Sequence, residues 1–503
     1  MIDNLLLGFQ VALSAETLLY CFIGVSIGMF IGVLPGVGPL AAISMLLPMT
    51  YYVSPTSALV MLAGIYYGAQ YGGSVASILL RLPGTASSAV ICLDGYEMTK
   101  KGRAGAALML SALASFIGGS IGILLMAAFS PTLSEMALKF GSQEYFMLMA
   151  LGLVAASTLS EGSAIRGLAM VVVGVVLGLV GIDLTSGAMR FTYGNFELMD
   201  GVSLVASAMG LFGLAEILAN IGQGERATPS SKITLRSMMP TRKELRDSFP
   251  AIWRGSAIGS FFGALPGTGS TIASFFSYAT ENRISRNRDT MGQGAVEGVA
   301  GPEAANNSAA QTAFIPTLTL GVPGDAVMAL LLGAMMVHGV TPGPQMLTQS
   351  ADMFWGLVAS FWLGNLILLV FNIPMIGLWV AMLRIPYRLL YPAIVVLIVI
   401  GTYSIRYSIF DVYQLLAFGV LGFVLRVLRF PTAPLVLGLV LGPLMEENFR
   451  RSMMLSDGQF STFVTRPISC GLLIVIAAIL LAQMLLAVTA WRRADSEKET
   501  STP

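Results

Sequence analysis

Apolar residues gather along this chain in uninterrupted blocks, not at alternating positions. No charged residue stands between Arg103 and Glu135, and none between Arg466 and Arg492. A helix needs about 20 such residues to cross a bilayer. The pattern predicts spans near 56–80, 104–130, 143–160, 163–182, 202–220, 353–381, 389–404, 411–425, 431–446 and 467–490. Three more, near 17–50, 250–280 and 303–336, are interrupted by proline and glycine. An outer-membrane barrel would instead show roughly ten-residue segments of alternating polarity. The expected fold class is therefore an all-α polytopic membrane protein with broken or re-entrant helices. A polar, basic linker at 222–249 separates an N-terminal half, 1–221, from a C-terminal half, 250–491. A charged tail follows at 492–503 and is expected to be disordered.

Composition narrows the class. Only 11% of the 503 residues are charged, and 55% are hydrophobic. A soluble domain carries about 25% charged residues, so this chain cannot cover itself with a polar skin. The net charge of +1 gives no reason to expect nucleic acid. Cys21, Cys92 and Cys470 lie in apolar stretches without metal or redox spacing. The first residues, MIDNLLLGFQ, do not resemble a cleaved signal peptide. No phosphate-binding G-x-x-x-x-G-K-[ST] loop, zinc spacing or nucleophile motif is visible, so the chain is not expected to be an enzyme.

The two halves repeat one motif. GVSIGMFIGVLPGVG at 24–38 aligns without gaps on GSAIGSFFGALPGTG at 255–269. Each holds glycines every fourth residue and ends in Leu-Pro-Gly-x-Gly. That spacing sets the glycines in one row along a helix, where a second backbone can approach closely. Pro35 and Pro266 then disfavour continued helix. A second pair follows, Leu82-Pro83-Gly84-Thr85-Ala86 and Val322-Pro323-Gly324-Asp325-Ala326, with its register shifted by an insertion of nine residues in the second half. Each half thus has two breaks at membrane depth, tolerated only where they are buried in protein or line a wet cavity.

Charge orients the halves. Lys and Arg mark the cytoplasmic side. The loop 50–57 has neither, whereas its counterpart 281–289 has Arg283, Arg286 and Arg288. After the second break the bias reverses: Lys100, Lys101 and Arg103 lie in 94–103, and 337–352 has no Lys or Arg. Equivalent loops are thus expected on opposite sides, as in two inverted-topology repeats with a binding site near the midplane. Arg450 and Arg451 fall on the outer side by this count, within reach of Glu446 and Glu447.

Candidate chemistry lies in the breaks and in the polar stretch 303–314. On a helix Glu303, Asn307 and Gln311 share one face, Asn306 borders it and Ser308 lies further around. The aligned first-half stretch holds Tyr66, Tyr67 and Gln70. Amides and hydroxyls can bind a cation through oxygen or a carboxylate through N–H. Half-helices starting after Gly36, Gly84, Gly267 and Gly324 would aim free N–H groups at an anion. Gly38 and Gly269 belong to the same breaks, and Thr85, Thr268 and Ser270 add hydroxyls there. Carbonyls freed at the breaks could hold Na⁺. Glu303, Asn307 and Asp325 are the candidates for ion coupling, with helix capping the alternative for Asp325. For Arg81, snorkelling or an ion pair stands beside contact with an anion. His338, the lone histidine, reads as a surface or packing residue.

The glycine ladder ending in Leu-Pro-Gly-x-Gly, YYGAQYGGS, LPGTASS and PEAANNSAAQTAFIPTLTLGVPG together resemble the large membrane subunit of the tripartite tricarboxylate transporters, the TctA family. The resemblance spans roughly residues 15–450 and covers Gly32, Pro35, Gly36, Gly38, Tyr67, Gly68, Gly73, Pro83, Gly84, Asn306, Asn307, Ser308, Pro323 and Gly324. It implies a multi-pass permease of the bacterial inner membrane with about twelve transmembrane helices, driven by a Na⁺ or H⁺ gradient. It also implies two partners, a small TctB-like membrane subunit of about four spans and a periplasmic TctC-like solute-binding protein. The expected function is import of tricarboxylates or related small carboxylates by alternating access, with an elevator-like movement suggested by the paired breaks. The alternative is a carboxylate exporter or a channel-like protein without a binding-protein partner.

Overall fold

The computed structural model describes residues 2–34, 38–159, 163–183, 186–220, 233, 235–383 and 387–500. These are almost entirely helical. The strands among them are Gly181–Ile182 and Met189–Arg190, paired antiparallel. Contacts group the chain into two compact units, Met1–Leu138 with Val202–Leu428, and Lys139–Gly201 with Arg429–Pro503.

The first unit opens with α1 (Ile2–Ala12), α2 (Ala15–Val33), α3 (Gly38–Leu46), α4 (Pro55–Leu80), α5 (Cys92–Lys100) and α6 (Ala104–Ala137). The second unit then takes α7 (Ser142–Leu159) and α8 (Ala164–Gly178). The chain returns to the first unit with α9 (Leu204–Ala208), a π-helical turn at 209–214, α10 (Ala215–Asn220), α11 (Leu235–Met238), α12 (Arg242–Gly263), α13 (Gly269–Ile284), α14 (Val296–Thr312), α15 (Phe314–Leu320), α16 (Ala326–Val337), α17 (Met346–Gln349), α18 (Ala351–Asn372), α19 (Ile376–Met382), α20 (Tyr387–Arg406) and α21 (Ile409–Val427). It ends in the second unit with α22 (Ala433–Leu455), α23 (Thr462–Thr465) and α24 (Pro467–Thr500).

By length and composition, five described helices can cross a membrane: α2, α6, α18, α21 and the Pro467–Leu485 stretch of α24. Helix α4 is longer than most of these, at 26 residues. It is not among the five because its middle carries Tyr66, Tyr67, Gln70, Tyr71, Ser74 and Ser77.

The glycine rows explain the packing of the first unit. A Cβ added at Gly24, Gly28 or Gly32 would overlap the backbone of Met61, Ile65 or Ala69. One added at Gly255, Gly259 or Gly263 would overlap the backbone of Gly301, Ala305 or Ala309. Each partner thus lies 37 residues on in the first half and 46 in the second. The difference is the nine residues by which the two pairs of breaks are displaced. The order of these contacts also shows that α2 runs parallel to α4, and α12 parallel to α14.

Parallel neighbours force the chain to reverse between them. Thr17 and Ser57 hydroxyls meet at 3.2 Å, and the Ser54 hydroxyl donates to Glu16 at 2.7 Å. The start of α4 therefore lies beside the start of α2, and α3 must carry the chain back. In the second half Arg254 on α12 donates two bonds to Glu281 on α13, at 2.8 and 2.6 Å, tying the arms together. The interrupted segments 17–50 and 250–280 are accordingly helical hairpins whose arms turn back at the breaks. Gly38, Gly267 and Gly269 sit at φ +57°, +82° and +66°, which lets the tips reverse. Pro35 and Gly36 lie outside the described residues.

Segments with alike charge collect together. Asp94 accepts the backbone N–H groups of Gly292, Gly294 and Ala295 at 2.7–3.1 Å, Lys101 donates to the Gln293 carbonyl, and Arg103 pairs with Glu244. At the other end of the roughly 39 Å that α4 spans, Thr50 meets His338 at 3.0 Å. Residues 222–232 and 234 of linker 222–249 lie outside the described residues, and the rest holds α11 and the first turns of α12.

In the second unit, Gly174 and Gly178 of α8 lie against the backbone of Leu435 and Leu439 in α22. Phe146, Phe449 and Phe463 pack as a ring cluster, and Arg466 donates to the buried Glu144 at 2.8 Å. Arg450 and Arg451 pair with Glu446 and Glu447 one turn earlier, at 2.7 and 2.8 Å. The tail differs from expectation: residues 492–500 continue α24. A helix already nucleated propagates readily through Ala, Glu, Lys and Arg.

Candidate functional site

Every residue of α14 is buried. Three neighbours achieve this with small residues. Helix α12 presents Gly255, Gly259 and Gly263, and α6 presents Gly118 and Gly122 against the backbone of Ala304 and Ser308. Helix α13 adds Ser274, whose hydroxyl donates to the Pro302 carbonyl at 3.2 Å. Close backbones on all sides leave the polar side chains of α14 at the centre, so Glu303, Asn306 and Asn307 have 0% exposure and Gln311 has 1%.

Glu303 is held by neutral donors. The hydroxyls of Ser74 on α4 and Ser115 on α6 both donate to its carboxylate, and Asn307 Nδ2 donates to it at 2.9 Å. Asn307 Nδ2 also reaches the Glu303 carbonyl at 3.1 Å, but its Oδ1 has no donor. Asn306 finds no partner for either amide atom, and Gln311 Oε1 has none. Buried polar atoms without partners are uncommon and costly in a folded protein. Ser308 differs, since its hydroxyl is engaged by Ser260 at 2.5 Å and by the Ser256 carbonyl at 3.0 Å.

The breaks converge nearby. Tyr66 donates to Asp325 at 3.0 Å, and Asp325 also accepts from Met328 N–H at 2.8 Å, capping α16. Gln70, one turn along α4 from Tyr66, donates to Ser270 at 3.3 Å and accepts from Ser87 at 2.8 Å. Since Tyr66 meets Phe314, just past the end of α14, at 6.4 Å between ring centroids while Ser74 meets Glu303, α4 and α14 run antiparallel. Ser270 opens α13, so the second hairpin tip touches the first-half helix. Gly269 at that tip lies beside Asp325.

The other expected residues are engaged in structure. Thr85 meets Ser87 at 3.0 Å and forms a reciprocal cap with Ser88. Thr268 donates to the Phe262 and Leu265 carbonyls, closing the end of α12. Gly84 packs on Gly73 and the Gly32 carbonyl, and Gly324 lies against Ala313 and the Gly263 carbonyl. No α-helix starts directly after Gly84; a short 3₁₀ turn, Ala86–Ser88, stands there instead. Gly267 turns the tip, with α13 beginning two residues later at Gly269. Tyr67 faces Cys21 at 3.9 Å and Phe361 at 5.5 Å between ring centroids. Arg81 is the left-handed C-cap of α4, at φ +58°.

Sequence reasoning missed Ser74, Ser115, Tyr71 and Asn365. Tyr71 donates to Asn365 Oδ1, and Asn365 Nδ2 donates to Ser120 at 3.1 Å and to the Phe116 carbonyl at 3.0 Å. The spacing of Tyr66, Gln70 and Ser74 along one face of α4 was the available signal. A hollow of about 520 Å³ between α6 and the start of α12 is separate from this cluster and lined mainly by apolar groups such as Leu110, Leu113, Ile117 and Phe249, with Arg246 and Ser248. The amide cluster itself is closed to solvent in this conformation. Such an arrangement can hold a small polar or charged species through amide N–H and oxygen groups, with no catalytic nucleophile among them.

Comparison with known proteins places this architecture. A protein of Agrobacterium vitis described as the uncharacterized 52.8 kDa protein in the TAR-I ttuC' 3' region is 50% identical over 475 residues, 94% of each chain. A second from the same organism, described as the uncharacterized protein in the TAR-II ttuC' 3' region, is 55% identical over 215 residues, 43% of this chain and 89% of that one. No solved structure matches the chain. The model of the tripartite tricarboxylate transporter TctA family matches residues 18–437. The chain therefore belongs to the TctA family, a multi-pass membrane subunit of a transporter and not an enzyme.

Proposed function

We propose that this subunit imports tricarboxylates or related small carboxylates across the bacterial inner membrane, as a secondary transporter coupled to a Na⁺ or H⁺ gradient. The observation that carries the reading is the set of unpaired amide atoms on Asn306, Asn307 and Gln311 at the buried centre of α14. Amide N–H groups suit a carboxylate, and amide oxygens suit a coupling cation. Hairpin tips in both halves support a midplane site.

The antiparallel course of α4 and α14 supports two inverted repeats, within 1–221 and 250–491, joined by the cytoplasmic linker. A TctC-like binding protein delivers the anion from the periplasm, and a TctB-like subunit of about four spans completes the complex. Closure around the amides is one state of an alternating-access cycle, in which the hairpins move to open the site to either side. Counterflow in proteoliposomes tests this. Internal unlabelled citrate or a related carboxylate should accelerate uptake of the labelled compound when the partners are present. Equal uptake with and without internal carboxylate would contradict exchange through an alternating site.

A further inference from the structure

Helix α12 begins as a basic segment and turns apolar within two turns. Arg242, Lys243 and Arg246 are exposed, and none of them has an ion-pair partner among the described residues. The acidic residues between and beside them are already engaged. Glu244 pairs with Arg103 and accepts the Thr241 N–H, and Asp247 accepts from Asn287 Nδ2 at 3.2 Å. Three positive charges are thus left uncompensated at one end of the helix.

The hollow of about 520 Å³ opens beside Arg246. Leu110, Leu113 and Ile117 of α6 form one wall, at spacings that share a helix face, and Phe249, Pro250 and Ile252 of α12 form the other. The α6 residues lie 7 to 14 positions beyond Arg103, so the wall runs about 10–21 Å along the helix from its charged end. That is the depth of one leaflet, half of a hydrocarbon core ~30 Å thick. Pro250 lacks the N–H that would meet the Arg246 carbonyl, which leaves a backbone acceptor near the mouth. Phe249 and Trp253, both about half exposed, pack edge to face at 6.2 Å between ring centroids. Aromatic rings favour this level, where hydrocarbon meets headgroups.

We propose that the hollow seats one anionic phospholipid of the cytoplasmic leaflet. Its phosphate meets Arg246, with Arg242 one turn away on the same face and Lys243 beside it, and one acyl chain lies between Leu113 and Phe249. Uncompensated cations favour a headgroup of net negative charge over a zwitterionic one. Apolar walls running a leaflet deep favour a lipid over free phosphate. A purely apolar partner helix would fill the hollow but leave the three charges unpaired. A lipid so held bridges α6 of the first half to α12, the first arm of the hairpin in the second.

The test uses the purified full chain, delipidated in neutral detergent and titrated with phosphatidylglycerol, phosphatidylcholine or inorganic phosphate. Thermal stabilisation gives the affinity, and native mass spectrometry counts the bound lipid. Saturable stabilisation with one tightly held phosphatidylglycerol is expected, and little response to the other two. Arg246→Gln should weaken phosphatidylglycerol binding about fivefold. Leu113→Trp fills the hollow with every charge kept, and should weaken it at least as much. Lys100, exposed and paired with Glu97 at 2.6 Å, lies at the same basic end outside the hollow; Lys100→Gln should leave binding unchanged. Equal binding of phosphatidylcholine would overturn the seat, as would equal stabilisation by inorganic phosphate. So would Lys100→Gln acting as strongly as Arg246→Gln, which would mean diffuse attraction, or folded Arg246→Gln and Leu113→Trp variants that bind like wild type.

Discussion

Tyr66 on α4 donates a 3.0 Å hydrogen bond to Asp325, the residue that caps α16 through Met328 N–H. One carboxylate thus serves a helix end and joins the first half to the second break of the other. Tyr66→Phe leaves one carboxylate oxygen without its donor, and a cost of about 1.5–3 kcal/mol is expected for a bond to a charged group. Asp325→Asn keeps a good capping side chain and should destabilise less than Asp325→Ala, which loses about 1 kcal/mol more through the cap. Thermal unfolding of the purified variants ranks them. Equal loss for Asn and Ala would show that the cap is unimportant.

The glycine rows give a sharper contrast. Gly28→Leu and Gly259→Leu each drive a side chain into a facing backbone, where nothing flexible can yield. Both are expected to abolish monodisperse, membrane-inserted protein in size-exclusion profiles. Gly377→Ala has open space around it and ordinary φ. It should behave as wild type.

The Arg254–Glu281 pair fastens the second hairpin. Glu281 is fully buried, while Arg254 is about one-third exposed. Removing the arginine strands a buried carboxylate, so Arg254→Gln should cost toward the lower end of ~3–5 kcal/mol. The double variant Arg254→Gln with Glu281→Gln should recover much of that loss in the same unfolding measurement. No recovery would mean that the pair does not act as a unit.

These devices were unevenly legible in the sequence. Glycines at 24, 28 and 32 and at 255, 259 and 263 advertise a close approach by their spacing alone, and the nine-residue displacement of the breaks reappears as a shift in their partners. Reversal at the tips was not decidable beforehand, because Pro266 followed by glycines suits a kink as well as a turn. Only the parallel contacts of α12 and α14 decide it. Asn306, Asn307 and Gln311 stood out as amides in an apolar run. Ser74 and Ser115 did not, since a serine in a membrane helix usually bonds its own backbone. Tyr67 stands apart from Tyr66 and Gln70 because one residue along a helix turns the side chain by about 100°.

Acid should loosen the basic end of the first unit. Burial pushes the Glu244 carboxyl up, but the Thr241 N–H and hydroxyl and the Arg103 guanidinium outweigh it and hold it below the usual carboxylate value. A depressed carboxyl contributes stability above its unfolded value, near 4.3, and loses it as pH falls through the folded value. Wild type should therefore lose thermal stability below about pH 4.3 relative to Glu244→Gln, and the two curves should run parallel above it. Curves parallel throughout would show that Glu244 contributes no pH-dependent stability.

The unpaired amides at the centre of α14 carry the account, and counterflow of labelled carboxylate through the double variant Asn306→Ala with Asn307→Ala tests them most directly. Inserted and folded like wild type, it should exchange carboxylate at least about tenfold more slowly, the loss that follows when a bound anion is deprived of about 1.4 kcal/mol of contact. Exchange at the wild-type rate would contradict the assignment.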